Sequence, residues 1–169
     1  MILSREEILK EIKAGRIQIE PFDENNLGPA SLDLKVSNEF RIFNKIHEIF
    51  HVTDNVDYKS ITTVEKVKDH FLLMPGETVN AITVEKITLP DDICGWLEGR
   101  SSFARLGLMV HITASFMQPG ISNRQVLEIS NVAPIPLAIY PGVKICQFVF
   151  QKMIGKAVYK GKFAAQNSP

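Results

Sequence analysis

The chain has 169 residues, of which 45% are hydrophobic and 22% charged, and its 19 basic residues balance 19 acidic ones. A formal net charge of zero provides no overall field for nucleic acid or an acidic membrane, so an anionic ligand needs a local cluster of donors. No apolar run approaches the roughly 18 residues of a membrane span, and the first residues lack the apolar stretch of a signal peptide. We therefore expect a cytoplasmic protein with one domain, residues 1–169, and no nucleic-acid or membrane partner.

A short helix is predicted at the N-terminus. Ser4 and Glu7 form the S-x-x-E pattern of a capping box, and Leu3 and Ile8 are spaced for a hydrophobic staple. Gly15 supplies the stop. The helix is thus bounded at both ends by residues suited to those positions.

After this helix the hydrophobic period becomes that of strands. Residues 32–42 alternate between apolar and polar side chains, and further strand-like runs follow. These runs are 79–84, 93–97, 108–114, 125–131, 136–140 and 143–151. Pro-Gly pairs at 75–76, 119–120 and 141–142 predict turns. Many short strands with one early helix favour a β-sandwich or barrel, and the irregular residues 44–70 are expected to form its main excursion.

The segment 99–107 interrupts the strand pattern. It predicts a short helix near 101–106, capped by Ser101 or Ser102. The unpaired backbone N–H groups at the start of such a helix, together with Arg100, suit a phosphate group. An ordinary helix cap explains the same residues, so this pattern alone leaves both interpretations open.

The same segment opens a longer run that resembles a known family. Residues 99–114 read GRSSFARLGLMVHITA and are similar to the G-R-S-S-x-A-R-x-G-L-x-V-H-x-T-A signature of dCTP deaminases, which belong to the dUTPase-like superfamily. Residues 28–34 (GPASLDL) upstream, 127–131 (LEISN) and 159–166 (YKGKFAAQ) downstream resemble further segments of that family. The resemblance covers nearly the whole chain, and its central run is highly specific.

This resemblance implies a mainly β fold, a distorted β-barrel or jelly-roll-like fold shared with dUTPases. It implies a homotrimer with active sites between subunits, in which residues 159–169 form a C-terminal arm that closes over the nucleotide. The substrate would be dCTP with Mg²⁺ on its triphosphate, the products dUTP and ammonia, and dTTP an inhibitor.

Hydrolytic deamination needs a group that takes a proton from water and returns one to the departing amine, and a carboxylate can do both. Glu128 corresponds to the family's catalytic glutamate. On the predicted strand, Leu127 and Ile129 point to one face, whereas Val126, Glu128 and Ser130 point to the other. Without the resemblance, a solvent-facing glutamate on a half-buried strand would give the same pattern.

The resemblance also implies roles for residues that act on the water and on regulation. Ser101, Arg105 and the backbone carbonyl of Ala114 would hold the attacking water or assist the glutamate. His111 and Thr113 match positions that couple active sites and mediate inhibition by dTTP. A buried core histidine beside a subunit contact is the alternative interpretation of His111.

The nucleotide-binding set that the resemblance implies spans three parts of the chain. Its members are Arg100, Ser101, Ser102, Phe103, Ala104, Arg105, Gln118, Val126, Leu127, Glu128, Tyr159, Lys162 and Gln166. Residues 100–102 would bind phosphates, which can belong to another subunit's site. The backbone of residues 126–127 would bind the edge of the pyrimidine, and the members from 159–166 would close over the nucleotide.

A zinc centre is not expected. Zinc deaminases carry an H-x-E motif and a P-C-x-x-C motif, and this chain contains neither. Its two cysteines, Cys94 and Cys146, lie in apolar strand-like runs, where small core residues are expected, although a disulfide stays open. None of the four histidines stands in an H-x-E motif.

Four positions depart from the family pattern: Phe116, Gln118, Ile121 and Asn123. Gln118 stands where an aspartate usually precedes Pro-Gly; an amide can bind a sugar hydroxyl but cannot act as a base, which counts against dUTP hydrolysis. Asn123 stands where a turn glycine is common, and asparagine tolerates positive φ. A dUTP pyrophosphatase or a bifunctional dCTP deaminase/dUTPase would share the fold and the phosphate motif and is the alternative function. The departures at 116–123 motivate a third, a non-catalytic nucleotide-binding trimer.

Overall fold

The computed structural model describes residues 1–110 and 113–169. Within these ranges lie the helices α1 (Arg5–Lys13) and α2 (Ser101–Ala104) and two 3-10 turns (Glu24–Asn26 and Tyr58–Ile61). The strands are β1 (Gln18–Glu20), β2 (Leu32–Phe43), β3 (Thr62–Lys66), β4 (Phe71–Leu73), β5 (Thr78–Thr88), β6 (Ile93–Gly99), β7 (Leu108–Val110), β8 (Phe116–Met117), β9 (Ser122–Asn131), β10 (Leu137–Ile139) and β11 (Lys144–Lys152). The prediction of a mainly β fold with two short helices is confirmed.

Strand β2 organises the main sheet, which has nine strands in the order β7-β9-β5-β2-β11-β6-β8, with β1 added on β5 and β3 on β2. All the pairs are antiparallel. The first part of β2 pairs with β11, where Leu32 lies opposite Phe148, and the second part pairs with β5, where Ile42 lies opposite Val79. Because β2 changes partner along its length, the sheet curls into a half-barrel. Strands β4 and β10 form a separate pair.

The core lies inside this curl and follows from the alternation of side chains along the strands. Phe40, Phe148, Phe150, Leu34 and Leu97 are each 0% exposed. Burying a side chain of this size stabilises the fold by about 1.5–3 kcal/mol. The core therefore sets the register of β2, β6 and β11, and a shift of one residue would turn these side chains to solvent.

Helix α1 begins and ends where the sequence predicts. The Ser4 Oγ accepts a long hydrogen bond of 3.5 Å from the Glu7 backbone N–H, Leu3 and Ile8 are buried, and Gly15 follows the helix with a φ of 70°. A residue with a side chain would be strained at that φ, so glycine is suited to this position. No helix in the described ranges is long and apolar enough to cross a membrane.

The predicted cap of the second helix is wrong. Arg100, not Ser101 or Ser102, is the N-cap of α2, and its side chain makes no capping hydrogen bond. The Arg100 guanidinium instead donates to the Lys144 carbonyl oxygen at 2.8 Å and forms an ion pair with Asp33 at 3.3 Å. These partners belong to distant strands, so the local pattern of hydroxyls could not reveal them.

The expected excursion at 44–70 is correct only for its first half. In the described chain, residues 44–57 contain no strand, but β3 then returns to pair with β2. Four of the five residues of β3 are exposed, which explains the absence of an apolar period. The predicted strand 108–114 is also too long, because β7 ends at Val110 and residues 113–115 are not a strand.

Candidate active site

A cavity of about 430 Å³ lies beside β9. This volume is within the range of small-molecule sites. Its lining residues are Tyr58, Asn80, Ala114, Phe116, Met117, Gln118, Ile121, Asn123, Gln125, Val126, Glu128, Tyr159, Phe163 and Gln166. The cavity thus joins the segment before β9, the first part of β9 and the C-terminal segment.

Strand β9 positions the carboxylate of the cavity. Leu127 and Ile129 are each 0% exposed, whereas Val126, Glu128 and Ser130 are half-buried on the alternating positions. The predicted alternation is therefore confirmed. Since Leu127 and Ile129 anchor the strand in the core, Glu128 is held in one register against β5.

The segment before β9 is fixed by a strand pair and a tight turn. β8 pairs with β6, and the rings of Phe116 and Trp96 are 5.6 Å apart. At the turn, Gly120 has a φ of 76°, and a Cβ there would lie 2.8 Å from Val158 Cγ1. Glycine is thus required both by the backbone conformation and by the approach of the C-terminal segment. This turn leaves Gln118 on the cavity wall.

The C-terminal segment 159–169, which we call the arm, lies along the start of β9. The Ser122 N–H donates to the Ala164 carbonyl at 3.1 Å, and the Arg124 N–H donates to the Gln166 carbonyl at 3.2 Å. The Tyr159 N–H donates to the Pro119 carbonyl at 3.0 Å. These backbone contacts bring Tyr159, Phe163 and Gln166 to the cavity.

A buried arginine holds the far end of the arm. Arg41 is 7% exposed, and its Nε donates to the Pro169 carbonyl oxygen at 2.5 Å. Its Nη1 donates to Thr62 Oγ1 at 3.2 Å, and its guanidinium lies 5.5 Å from the centre of the Tyr58 ring. Because Tyr58 also lines the cavity, Arg41 connects the end of the arm to the cavity wall.

The predicted site residues fall into two groups. Those that line the cavity are Ala114, Gln118, Val126, Glu128, Tyr159 and Gln166. Those that do not line it are Arg100, Ser101, Ser102, Phe103, Ala104, Arg105, Thr113, Leu127 and Lys162. His111 lies outside the described residues. The α2 residues therefore do not reach the cavity within one chain, and the side chains of Ser101, Ser102 and Arg105 are exposed.

Sequence reasoning missed several cavity residues. Tyr58 and Asn80 come from elements distant in sequence, and Gln125 lies on the buried face of β9 with 0% exposure. Asn123, expected in a turn, instead lies within β9 opposite Ile87 and makes hydrogen bonds to Phe163 and Gln125. Positive φ is therefore not the reason for an asparagine at this position.

Burial changes the acidity of three groups outside the cavity lining. Glu85 is 3% exposed, and burial raises its pKa. Its carboxylate accepts a hydrogen bond from the Lys35 backbone N–H at 2.9 Å, which opposes this shift. Burial also raises the pKa of the Cys94 and Cys146 thiols. Both cysteines are free, so the disulfide left open by the sequence is not formed.

In residues 1–110 and 113–169, no group of three or more His, Cys, Asp or Glu side chains is placed to hold a metal ion.

Known proteins with similar sequences share one activity in their names. A sequence profile described as dCTP deaminase-like matches residues 2–153. A dUMP-forming dCTP deaminase of Nocardioides sp. is 42% identical over 178 aligned positions, which cover 100% of this chain and 93% of the relative. One from Streptomyces griseus is 40% identical over 178 positions, which cover 100% of this chain and 93% of the relative.

Solved structures support the same fold. The crystal structure of a 2′-deoxycytidine 5′-triphosphate deaminase from Agrobacterium tumefaciens superposes with a TM-score of 0.70 at 20% identity. The match covers 89% of this chain and 48% of that one, so this chain spans about half of its length. A point mutant of the dUTPase of Staphylococcus bacteriophage 80alpha superposes with a TM-score of 0.53 at 13% identity, over 86% of this chain and 96% of that one. Given the profile match and the full-length relatives, the chain is an enzyme of the dCTP deaminase-like family.

Proposed function

We propose that this enzyme hydrolytically deaminates dCTP to dUTP and ammonia, with Glu128 as the group that moves protons. The observation that carries the proposal is the position of Glu128 on the wall of a cavity that also contains Gln118, Tyr159 and Gln166. Six of the residues that the family resemblance implies line this cavity, and the pairing of β9 with β5 fixes the register that brings Glu128 to it. The substrate is the magnesium complex of the triphosphate.

The reaction requires one carboxylate in two roles. Glu128 takes a proton from water as the water oxygen bonds to C4 of cytosine, and the carboxyl group passes that proton to N3. The second proton of the water goes to the exocyclic amine, the C4–N bond breaks, and ammonia leaves as the C4 carbonyl forms. A positioned acid–base group of this kind typically contributes 10²- to 10⁴-fold to a rate. The backbone carbonyl of Ala114 would orient the water.

The residues expected to bind phosphates (100–102) and to assist the water (Ser101 and Arg105) lie away from this cavity. Arg100, Ser101, Ser102 and Arg105 do not line the cavity of their own chain, and the last three are exposed. We propose that they serve the cavity of a neighbouring copy in a homotrimer. The backbone of Val126 and Leu127 would bind the pyrimidine edge. Regulation by dTTP through His111 and Thr113 stays a prediction.

Formation of dUMP is the second candidate. The names of the Nocardioides and Streptomyces relatives say that they form dUMP, which favours further cleavage of the triphosphate. Gln118 on the cavity wall counts against it, because an amide cannot act as a base at neutral pH. The two candidates share the deamination step; in the second, another water breaks the bond between the α- and β-phosphates of dUTP, and dUMP and pyrophosphate leave.

Product analysis tests both candidates. The purified protein is incubated with dCTP and Mg²⁺, and ammonia, dUTP, dUMP and pyrophosphate are each quantified over time. We expect ammonia and dUTP in equal amounts; dUMP and pyrophosphate in the same amounts as ammonia would establish the second candidate. Absence of ammonia between about pH 6 and 9, with dCTP binding shown separately, would refute deamination and support a non-catalytic nucleotide-binding protein.

A further inference from the structure

Gln125 presents an unusual feature on the cavity wall. Its side chain is 0% exposed and lines the cavity. The Nε2 donates to Asn123 Oδ1 at 2.7 Å and to the Asn123 carbonyl oxygen at 3.3 Å. Within the part of the chain that the structure describes, the Oε1 has no hydrogen-bond partner. A buried amide oxygen is therefore left over as an acceptor.

The arm determines whether the nitrogen or the oxygen of the Gln125 amide is left without a hydrogen-bond partner. The Asn123 Nδ2 donates to the Phe163 carbonyl oxygen of the arm at 2.7 Å. This contact turns the Asn123 Oδ1 toward Gln125, and an oxygen there requires a donor. The Gln125 amide must therefore present its NH₂ group to Asn123. Docking of the arm thus orients the Gln125 oxygen away from Asn123.

The backbone prevents Gln125 from moving to find another partner. Its N–H donates to Thr83 Oγ1 at 2.9 Å, and the Thr83 hydroxyl donates to the Glu85 carbonyl at 2.8 Å. Thr83 lies where the pairing of β5 with β9 shifts register, between Ile82 and Lys86. The position of Gln125 is therefore fixed by strand, hydroxyl and arm together.

An unpaired buried acceptor is costly, and an apolar side chain of similar size would avoid that cost. We propose that the Gln125 Oε1 accepts a hydrogen bond from a donor group of the bound pyrimidine nucleotide, which makes Gln125 a specificity-determining residue. This inference rests on the proposed function for the class of the ligand. Selection by a polar pocket group is strong, because a ligand without the matching donor leaves that group unpaired.

The sugar is the favoured source of the donor. Gln125 precedes Glu128 by three positions, which is about 10 Å along a strand, and the two side chains lie on opposite faces of β9. The amino group of cytosine sits on C4, the atom that must face Glu128. The 3′-hydroxyl of the deoxyribose is the donor that can lie farther from that carboxylate.

The experiment measures nucleotide binding in a Glu128→Gln background, so that turnover does not interfere. The probes are dCTP, 2′,3′-dideoxy-CTP, which lacks the 3′-hydroxyl, and dUTP, which lacks the 4-amino group. We expect dideoxy-CTP to bind about tenfold more weakly than dCTP. Adding Gln125→Met should shrink that ratio threefold or more. The matched control is Gln151→Met, which should leave the ratio unchanged. Gln151 is a half-buried glutamine on β11 that does not line the cavity.

Each outcome has a defined meaning. A ratio that Gln125→Met leaves unchanged, for both dideoxy-CTP and dUTP, overturns the inference. If instead dUTP binds more weakly than dCTP, and Gln125→Met shrinks that ratio, Gln125 is supported as the acceptor and the donor lies on the base. If Gln125→Met unfolds because Asn123 loses its donor, Asn123→Ala combined with Gln125→Met is compared with Asn123→Ala alone, because Asn123 also contacts the arm. Failure of wild-type protein to release ammonia from dCTP is a separate result, which refutes the proposed function.

Discussion

Glu128 on β9 lies directly opposite Asn80 on β5 in the antiparallel register, and both residues line the same cavity. The Cβ atoms of two residues that lie directly opposite in such a pair are about 5 Å apart. The side chain at position 80 therefore belongs to the electrostatic environment of Glu128. A neutral amide at this position avoids a second negative charge beside the carboxylate.

Asn80→Asp is the substitution that tests this relationship. Like charges directly opposite each other destabilise a strand pair, so we expect a loss of about 1 kcal/mol in the free energy of unfolding at pH 7. We also expect deamination to be slower than in Asn80→Ser, which is the neutral control. Urea unfolding and steady-state rates measure the two effects, and equal values for both variants would argue against a close contact.

Removal of Arg41 should release the arm. Arg41→Met deletes the donor to the Pro169 carbonyl and the contact with Tyr58. A hydrogen bond from a charged donor is worth about 1.5–3 kcal/mol, so we expect KM for dCTP to rise tenfold or more with a smaller change in kcat. Arg5→Met is the control, because Arg5 contacts Glu24 and the Leu27 carbonyl, which do not line the cavity. An unchanged KM in Arg41→Met would show that this contact does not hold the arm during turnover.

Glu85 should make stability depend on pH. Burial raises the pKa of Glu85 in the folded state above its value in the unfolded chain. The resulting contribution to the free energy of unfolding is fully present below the unfolded-state pKa and is lost as the pH rises through the folded-state pKa. Glu85→Gln does not titrate and can still accept the Lys35 N–H. Its free energy of unfolding should therefore improve relative to wild type more at pH 7 than at pH 4. Urea unfolding at both pH values measures the difference, with the exposed Glu48→Gln as control.

The two thiols should resist modification in the folded protein. Cys146 is 0% and Cys94 3% exposed, and burial raises the pKa of both, which suppresses the reactive thiolate. We expect a disulfide reagent to modify neither thiol at neutral pH until denaturant is added, when both react. Rapid modification of folded protein would show that β6 or β11 opens readily.

The features that could be predicted from the sequence depend on neighbouring residues. The Ser4 cap of α1 and the alternation around Glu128 both follow from side chains within a few positions of each other. These patterns were sufficient for the first helix, for most strands and for the face of β9 that bears the carboxylate.

The remaining features depend on contacts between distant segments. Arg100 occupies the N-cap position of α2 while Asp33 and Lys144 hold its side chain, and no local pattern indicates these contacts. The role of Asn123 depends on Phe163, 40 positions away. The hidden acceptor of Gln125 follows from that same contact, so no periodicity could reveal it.

If the Glu128 carboxylate drives deamination, ammonia release from saturating dCTP must depend on it, and the Glu128→Gln variant measures that dependence. Glutamine keeps the size of the side chain but cannot take a proton from water, so we expect dCTP to bind while the rate falls by at least about 10²-fold. The matched control is Glu98→Gln, which should keep the wild-type rate. Glu98 is an exposed carboxylate on β6 that does not line the cavity. Ammonia release by Glu128→Gln at the wild-type rate would show that deamination does not depend on this carboxylate.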